Sequence, residues 1–287
     1  MEYTYYPGCS LKGTGKHYEE SILAVFQKLG IELHELENWN CCGATAYMSI
    51  DEMKGYALAA RNLSLAEKHN RDIVAPCSAC YLVLKKTQHY MKEYPEVGAK
   101  VKKALAAAGM EYNHTVEVKH PLEILVNDFG LDSVKEKIVN ELAEYTVAPY
   151  YGCQIVRPLK TFDDALYPTT MDRLFESLGI RVIDYHLKTR CCGGALTGTI
   201  EDAGLHLNHI LLNEAKKKGA NCIATVCPLC QFNLECYQSK INHRYNTDVS
   251  MPVYYFPQLV GLALGIPKEQ LGFKRLFKDL ETLKAVA

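Results

Sequence analysis

The sequence predicts an α/β protein built from two homologous repeats, each with a mainly parallel β-sheet flanked by helices. Three observations support this fold class. A cysteine pattern occurs twice, the sequence around it is also duplicated, and short apolar runs alternate with helical stretches in each copy. The repeats predict two domains, residues 1–143 and 144–287.

Ten of the twelve cysteines fall into two copies of one pattern. In each copy a single cysteine is followed by a Cys-Cys-Gly doublet and then by a Cys-x-x-Cys pair. The intervals are 31 and 34 residues in the first copy and 37 and 34 in the second. The first set is Cys9, Cys41, Cys42, Cys77 and Cys80, and the second is Cys153, Cys191, Cys192, Cys227 and Cys230. Dispersed, buried cysteines would not repeat in this way.

The first repeat alternates strands and helices. YTYY predicts a strand, residues 18–29 a helix that Leu-Gly-Ile ends, and IELHEL a second strand. A long helix over residues 51–68 leads to DIVA, a strand that runs directly into Cys-x-x-Cys. A solvated amphipathic helix is expected over residues 96–108 and a fourth strand near residues 116–119.

The second repeat follows the same order. TVAPYY, RVIDY, CIATV and VYYF predict strands, and residues 170–178 and 201–218 predict helices. Since the single cysteine and the Cys-x-x-Cys pair follow strands in both repeats, they should lie at the carboxyl ends of the strands. Ligands gather at that edge of open parallel sheets. All five thiolates of a repeat could therefore converge, and nearby helix N-termini would favour negative charge.

Composition narrows the function classes. Hydrophobic residues make up 48% of the 287 and charged residues 23%, as in soluble globular proteins, and the net charge of −1 gives no electrostatic case for nucleic acid. MEYTYYPGCS lacks the features of a signal peptide, and VYYFPQLVGLALGI is too short to span a bilayer. We therefore expect a cytoplasmic protein without membrane insertion, where many cysteines indicate metal or redox chemistry.

Five thiolates exceed the needs of common metal sites. A structural zinc ion and a cubane iron–sulfur cluster each take four ligands. Either one cysteine of each copy is surplus, or the site holds something larger or distorted. The same surplus in two copies favours iron–sulfur over zinc.

The duplicated motif resembles the CCG-domain family, specifically the B subunit of heterodisulfide reductase, over nearly the whole chain. The resemblance implies that each set of five cysteines binds one noncubane [4Fe-4S] cluster and that the cluster irons, rather than a side chain, perform catalysis. It also implies reduction of a small-molecule disulfide, such as the coenzyme B–coenzyme M heterodisulfide, in two one-electron steps. The partners expected from the resemblance are a flavin-containing A subunit together with a ferredoxin-like C subunit.

Other residues bear on substrate. Lys12, His17, Arg157 and Lys160 follow the first cysteine of each motif and are candidates for binding an anionic substrate. The alternative, which the sequence favours, is that they are solvated loop residues. Gln154 occupies a position where some methanogenic members have His. Cys222 and Cys236 lie outside the motif and are expected to be small buried side chains.

Two other function classes remain open. A non-catalytic electron-relay subunit of a bacterial electron-transfer or bifurcating complex would also carry clusters, and a zinc-stabilised scaffold would use thiolates without redox chemistry. GTGKH at residues 13–17 lacks the spacing of a nucleotide-binding loop, so any flavin or nucleotide should come from a partner.

Overall fold

The computed structural model describes residues 1–44 and 47–279. The last residues of the predicted second domain, 280–287, lie outside the described residues. The boundary between residues 143 and 144 stays a prediction, although it falls in the segment that joins two separate sheets.

The eight strands of the described chain form two sheets of four. The strands are β1 (Glu2–Tyr5), β2 (Glu32–Glu35), β3 (Ile73–Val74), β4 (Val118–Lys119), β5 (Thr146–Tyr150), β6 (Arg181–Val182), β7 (Cys222–Thr225) and β8 (Val253–Tyr255). The order is β2-β1-β3-β4 in the first sheet and β6-β5-β7-β8 in the second, and every pair is parallel. The predicted α/β fold with two parallel sheets is confirmed.

Helices cover both sheets. Those of the first repeat are α1 (Gly8–Leu11), α2 (Lys16–Leu29), α3 (Tyr47–Ile50), α4 (Glu52–Glu67), α5 (Ser78–Glu93), α6 (Pro95–Ala107), α7 (Pro121–Glu123) with a π-helical turn (Ile124–Asp128), and α8 (Leu131–Lys135). Those of the second are α9 (Thr170–Ser177), α10 (Leu196–Thr199), α11 (Glu201–Lys217), α12 (Pro228–Cys236), α13 (Gln238–Tyr245), α14 (Phe256–Ala263) and a 3₁₀ turn (Phe273–Arg275).

Local sequence signals explain where the main helices begin and end. α2 ends at Gly30, whose φ of 77° is the left-handed conformation that favours glycine, as Leu-Gly-Ile predicted. The Asp51 carboxylate accepts the Lys54 amide at 3.3 Å and caps α4. Cys77 and Cys227 are the N-cap residues of α5 and α12, and Pro228 occupies the first turn of α12. The cysteines of both Cys-x-x-Cys pairs therefore lie at helix N-termini.

The two repeats share one apolar seam. Helix α14 of the second repeat packs against α2 of the first, and the rings of Tyr18 and Tyr255 stack across the seam with centroids 4.1 Å apart. The Tyr18 hydroxyl donates to the Val226 carbonyl at 3.1 Å, and the Ser78 hydroxyl donates to the same oxygen at 3.2 Å. Because one buried core extends over both sheets, the carboxyl edges of the two sheets are held close together.

Candidate metal centre

The cysteines of the first repeat come from three loops at the carboxyl edge of its sheet. Cys9 lies in α1, directly after β1, the doublet precedes α3, and the Cys-x-x-Cys pair starts α5. The sulfurs of Cys42 and Cys80 are 3.4 Å apart, and both side chains are buried. Cys9 and Cys41 are exposed, so this set has one buried side and one open side.

The second set has the same arrangement. The sulfurs of Cys192 and Cys230 are 3.5 Å apart, and the thiols of Cys153 and Cys191 interact directly. The Asn233 amide nitrogen donates to the Cys192 sulfur at 3.5 Å. The matching distances indicate that the duplication preserved the geometry of the site as well as its residues.

The glycine of each doublet holds the first cysteine. The backbone N–H of Gly43 donates to the Cys41 sulfur at 3.4 Å, and that of Gly193 donates to the Cys191 sulfur at 3.3 Å. Both glycines have positive φ, 83° and 91°, which a residue with a side chain rarely adopts. The Cys-Cys-Gly motif therefore needs glycine, because the positive φ directs the glycine N–H toward the sulfur of the first cysteine.

A tyrosine in each repeat anchors the doublet loop. Tyr6 donates to the Asn40 carbonyl at 2.8 Å, and Tyr150 donates to the Arg190 carbonyl at 2.6 Å. Each accepting residue directly precedes its doublet. Both tyrosines were predicted only as strand residues, but the sequence does contain a signal for this contact, because each tyrosine precedes the first cysteine of its set by three residues.

A glycine before each first cysteine makes room for a sulfur. A Cβ added at Gly8 would lie 2.9 Å from the Cys80 sulfur, and one added at Gly152 would lie 3.2 Å from the Cys230 sulfur. Both glycines also have positive φ, 67° and 70°. This role was not predicted, although a glycine directly precedes the first cysteine in both repeats.

The two sets meet at the seam. The Cys77 and Cys227 thiols interact directly, and both side chains are buried. Their positions are equivalent in the two repeats, so the sets face each other across the seam. Nine of the ten thiols, all except Cys9, form a continuous series of direct interactions with the seam pair in its centre.

The thiols of each set share protons. Hydrogen bonds from Cys41 and Cys80 lower the pKa of Cys42 to about 4. A hydrogen bond from Cys153 lowers the pKa of Cys191 to about 2. In each case a sulfur that takes negative charge is stabilised by neighbouring thiols that remain protonated.

The seam pair follows the same rule. A hydrogen bond from Cys227 lowers the pKa of Cys77 well below the usual range of a thiol. Hydrogen bonds to Cys42 and Cys77, together with burial, raise the pKa of Cys80. So many adjacent sulfurs can all lose their protons only when cations replace those protons. The donor set therefore fits a polynuclear iron centre, since iron–sulfur clusters are held by thiolates.

Two candidate substrate residues of the first repeat have other contacts. The Lys12 ammonium pairs with buried Glu19 at 2.6 Å and with Glu35 at 2.7 Å, so its charge is largely neutralised. His17 is buried, with its ring centroid 4.8 Å from that of Tyr255. Burial lowers the pKa of His17 to about 4, which keeps the ring neutral near pH 7.

The two candidates of the second repeat are in different places. The Arg157 guanidinium donates to the Thr189 carbonyl, and its charge helps to lower the pKa of Cys191. Lys160 instead lines a surface cavity with Lys85 and Lys92 of α5. Of the four predicted substrate residues, Arg157 is thus the cation beside a cysteine set.

The two cysteines outside the motif have no part in either set. Cys222 is fully buried in β7, and burial alone raises its pKa. Cys236 is half-buried at the end of α12. Cys222 agrees with the expectation of a small buried side chain, whereas Cys236 is less buried than expected.

Comparison with known proteins identifies the family. The model of the CCG cysteine-rich domain matches residues 3–85 and 147–235, one range within each of the two predicted repeats. The chain belongs to this family. The match confirms the duplication and the resemblance to the CCG-domain family.

Two relatives align with this chain over most of its length. The 8-methylmenaquinol:fumarate reductase membrane anchor subunit of Wolinella succinogenes is 34% identical over 286 residues, covering 98% of this chain and 99% of the relative. The B subunit of the ferredoxin:CoB-CoM heterodisulfide reductase of Methanosarcina mazei is 33% identical over 273 residues, covering 93% and 91%. In the described part of this chain, no helix has the length and apolar character that a membrane crossing needs.

A solved structure shares the fold. A hypothetical protein from Helicobacter pylori superposes with a TM-score of 0.77 at 16% sequence identity, over 96% of this chain and 51% of that chain. At this identity the likeness shows the fold alone.

Proposed function

We propose that the chain is the catalytic subunit of a heterodisulfide reductase-type complex and reduces a small-molecule disulfide. Cys9, Cys41, Cys42, Cys77 and Cys80 would hold one noncubane [4Fe-4S] cluster, and Cys153, Cys191, Cys192, Cys227 and Cys230 would hold a second. The substrate would be the coenzyme B–coenzyme M heterodisulfide or a related sulfur compound.

One observation carries this proposal, which is that the two sets of thiols meet at Cys77 and Cys227 in the seam. Cleaving a disulfide breaks one S–S bond and consumes two electrons and two protons to give two thiols. Clusters held by the two sets would each supply one electron. Because the sets adjoin, both sulfurs of one substrate could be reached from the same place.

The chain's own residues would position the substrate. Each set has an exposed or half-exposed side, at Cys9 and Cys41 in the first repeat and at Cys153 and Cys191 in the second. Arg157 lies beside Cys191 and would attract the anionic group of a substrate. Lys12, His17 and Lys160, which are paired, buried or in another cavity, contribute less to such binding.

Electrons would have to come from partner proteins. The described chain carries no cysteine outside the two sets except Cys222 and Cys236, which leaves no ligands for an additional cubane. We propose that a ferredoxin-like C subunit is the direct donor and that it receives its electrons from a flavin-containing A subunit. Twelve free thiols fit a reducing compartment, so we place this complex in the cytoplasm.

Substitution of single cysteines tests the cluster assignment. Cys42→Ser and Cys192→Ser should each remove about half of the iron from anaerobically purified protein and abolish disulfide reduction with reduced viologen as donor. Cys222→Ala is the matched control, because Cys222 is equally buried and belongs to neither set. Protein without iron, or full iron content in both Ser variants, would refute the proposal.

An electron-relay function is the second candidate. The relative with almost complete coverage is named for a fumarate reductase, and neither substrate in that name is a disulfide. A relay protein would accept electrons from viologen and pass them to a partner without turning over any disulfide. Cluster-containing protein that viologen reduces rapidly but that converts no disulfide would support the relay function over the catalytic one.

A further inference from the structure

The seam contains a buried hydroxyl group without a partner. Tyr255 ends β8, its side chain is 0% exposed, and no group in the described chain makes a hydrogen bond to its oxygen. Buried hydroxyls almost always have a partner, because an unpaired one loses its hydrogen bonds to water without compensation. The unpaired hydroxyl therefore suggests that an acceptor from outside the chain binds next to it.

The position of the ring is fixed by its neighbours. Tyr18 stacks on it with planes 4° apart, and the Tyr18 hydroxyl already donates to Val226. The negative charges that act most on the Tyr255 hydroxyl are the sulfurs of Cys227 and Cys77, in that order. The unpaired donor thus lies near the place where the two cysteine sets meet.

Other groups near Tyr255 do not claim its proton. The Glu235 carboxylate already accepts from the Gln231 amide and from the backbone N–H of Phe277 at 3.1 Å. Thr225, which is paired in register with Tyr255, has a hydroxyl that is also buried and unpartnered among the described residues. The His17 ring, with its centroid 4.8 Å from that of Tyr255, also has two buried nitrogens without a partner among the described residues. The neighbours that bring most negative charge to the Tyr255 hydroxyl are nevertheless the sulfurs of Cys227 and Cys77.

We propose that Tyr255 is a positioning residue whose hydroxyl donates a hydrogen bond to a sulfur anion held between the two cysteine sets. The inference rests on the proposed function, since that anion is either a sulfur of a bound cluster or a substrate-derived thiolate. A hydrogen bond to sulfur stabilises the more negative, reduced state and so raises the reduction potential of the centre. The same donor would orient a thiolate leaving the seam.

Tyr255→Phe removes the donor and keeps the stacked ring. Tyr185→Phe is the matched control, because its hydroxyl is also buried in the second repeat but donates to the Leu211 carbonyl at 2.9 Å. The readouts are iron content, midpoint potential and hyperfine coupling of exchangeable protons to the reduced centres in H₂O and D₂O. We expect unchanged iron, a lower midpoint potential and loss of one exchangeable proton in Tyr255→Phe alone.

Adding 2-mercaptoethanol, a small thiol, distinguishes the two possible anions, which are a cluster sulfur and a substrate-derived thiolate. A coupled exchangeable proton that thiol-free wild-type protein has and Tyr255→Phe lacks assigns the acceptor to a cluster sulfur. A coupling that appears only with the added thiol assigns it to a substrate thiolate. If Tyr255→Phe fails to load iron, wild-type spectra still decide the matter by whether they contain a coupled exchangeable proton beyond those of the Gly43 and Gly193 N–H groups and the Asn233 amide.

The inference is overturned if iron-containing wild-type protein has, in either condition, no coupled exchangeable proton beyond those of the Gly43 and Gly193 N–H groups and the Asn233 amide. It is also overturned if the coupling and the potential are the same in Tyr255→Phe. Both outcomes leave the cluster assignment intact. Absence of iron from the wild-type protein, in contrast, would defeat the proposed function itself.

Discussion

Substituting Gly8 by Ala tests whether the glycine before the first cysteine is required by a sulfur. Gly8 has a φ of 67°, and an added Cβ would lie 2.9 Å from the Cys80 sulfur. Gly30→Ala is a matched control, because Gly30 has a φ of 77° but no atom within 4 Å of such a Cβ. Both variants place alanine in the left-handed region, which costs about 1–2 kcal/mol.

Only the Gly8 variant adds a steric cost. Non-bonded heavy atoms pack at about 3.5–4.0 Å, so the Cys80 sulfur would have to move by roughly 1 Å. Cys80 is buried in the first turn of α5, and overpacking of this kind costs about 1–3 kcal/mol more. We expect Gly8→Ala to be destabilised by about 2–5 kcal/mol in total.

Urea unfolding under anaerobic conditions measures the difference in stability, and the iron content per chain measures whether the first cysteine set still binds its metal. Gly8→Ala should lose iron from the first set because Cys80 is displaced, whereas Gly30→Ala should keep it. The second repeat offers an independent pair, Gly152→Ala and Gly179→Ala, with an expected effect that is smaller because the sulfur contact is 3.2 Å. Equal stability and equal iron in Gly8→Ala and Gly30→Ala would refute the reasoning.

Three further predictions concern single contacts. Tyr150→Phe leaves the Arg190 carbonyl without its donor, so unfolding measurements should give a loss of about 1–3 kcal/mol. Lys188→Met leaves the nearly buried Asp172 carboxylate without its cation, and we expect a loss of about 3–5 kcal/mol, with a smaller loss in Lys188→Met/Asp172→Leu. Burial raises the pKa of the Glu235 carboxyl from 4.5 to about 7, so the folded chain holds this proton more tightly than the unfolded chain. The stability that the bound proton contributes is complete below pH 4.5 and should be lost as pH rises through 7. Unfolding free energies from pH 5 to 8 should therefore fall about 3 kcal/mol more in the native chain than in Glu235→Gln, and equal slopes would contradict this.

The sequence predicted much of the fold because its signals are local and duplicated. Helix α11 begins at Glu201 as predicted and ends at Lys217, one residue before the predicted end. The sequence also predicted that the single cysteine and the Cys-x-x-Cys pair of each repeat follow strands. They were therefore expected at one edge of the sheet, since parallel strands have their carboxyl ends there. The short helix α1, which contains Cys9, was not predicted, because its four residues carry no periodic pattern.

The contacts of the candidate substrate residues could not be predicted in the same way. Lys12 was chosen for its closeness to Cys9 in sequence, but its charge is neutralised by Glu19, one turn into the next helix, and by Glu35 at the end of β2. His17 was expected near an anionic substrate, but the packing of α2 on the second repeat buries its ring. Both outcomes depend on tertiary contacts that sequence spacing does not encode.

The duplication is symmetric in its cysteines but asymmetric at the seam. The residues that cap the helix after the fourth strand are equivalent, since Glu123 and Gln258 each accept from the backbone N–H of the cap residue. In the first repeat that residue is His120, whose Nδ1 accepts a backbone N–H. Its Nε2 must therefore carry the proton, and it donates to the Pro76 carbonyl at 2.9 Å.

In the second repeat the equivalent residue is Tyr255, whose hydroxyl has no partner in the described chain. His120 uses its donor to fix the loop before Cys77, and burial lowers its pKa to about 3, so it stays neutral. The loop before Cys227 is fixed differently, because Tyr18 and Ser78 of the first repeat donate to the Val226 carbonyl. The Tyr255 hydroxyl is therefore not needed to hold this loop, whereas the equivalent His120 holds the loop before Cys77. A donor that the fold does not need, buried beside the sulfurs, is what a site for a sulfur anion at the seam requires.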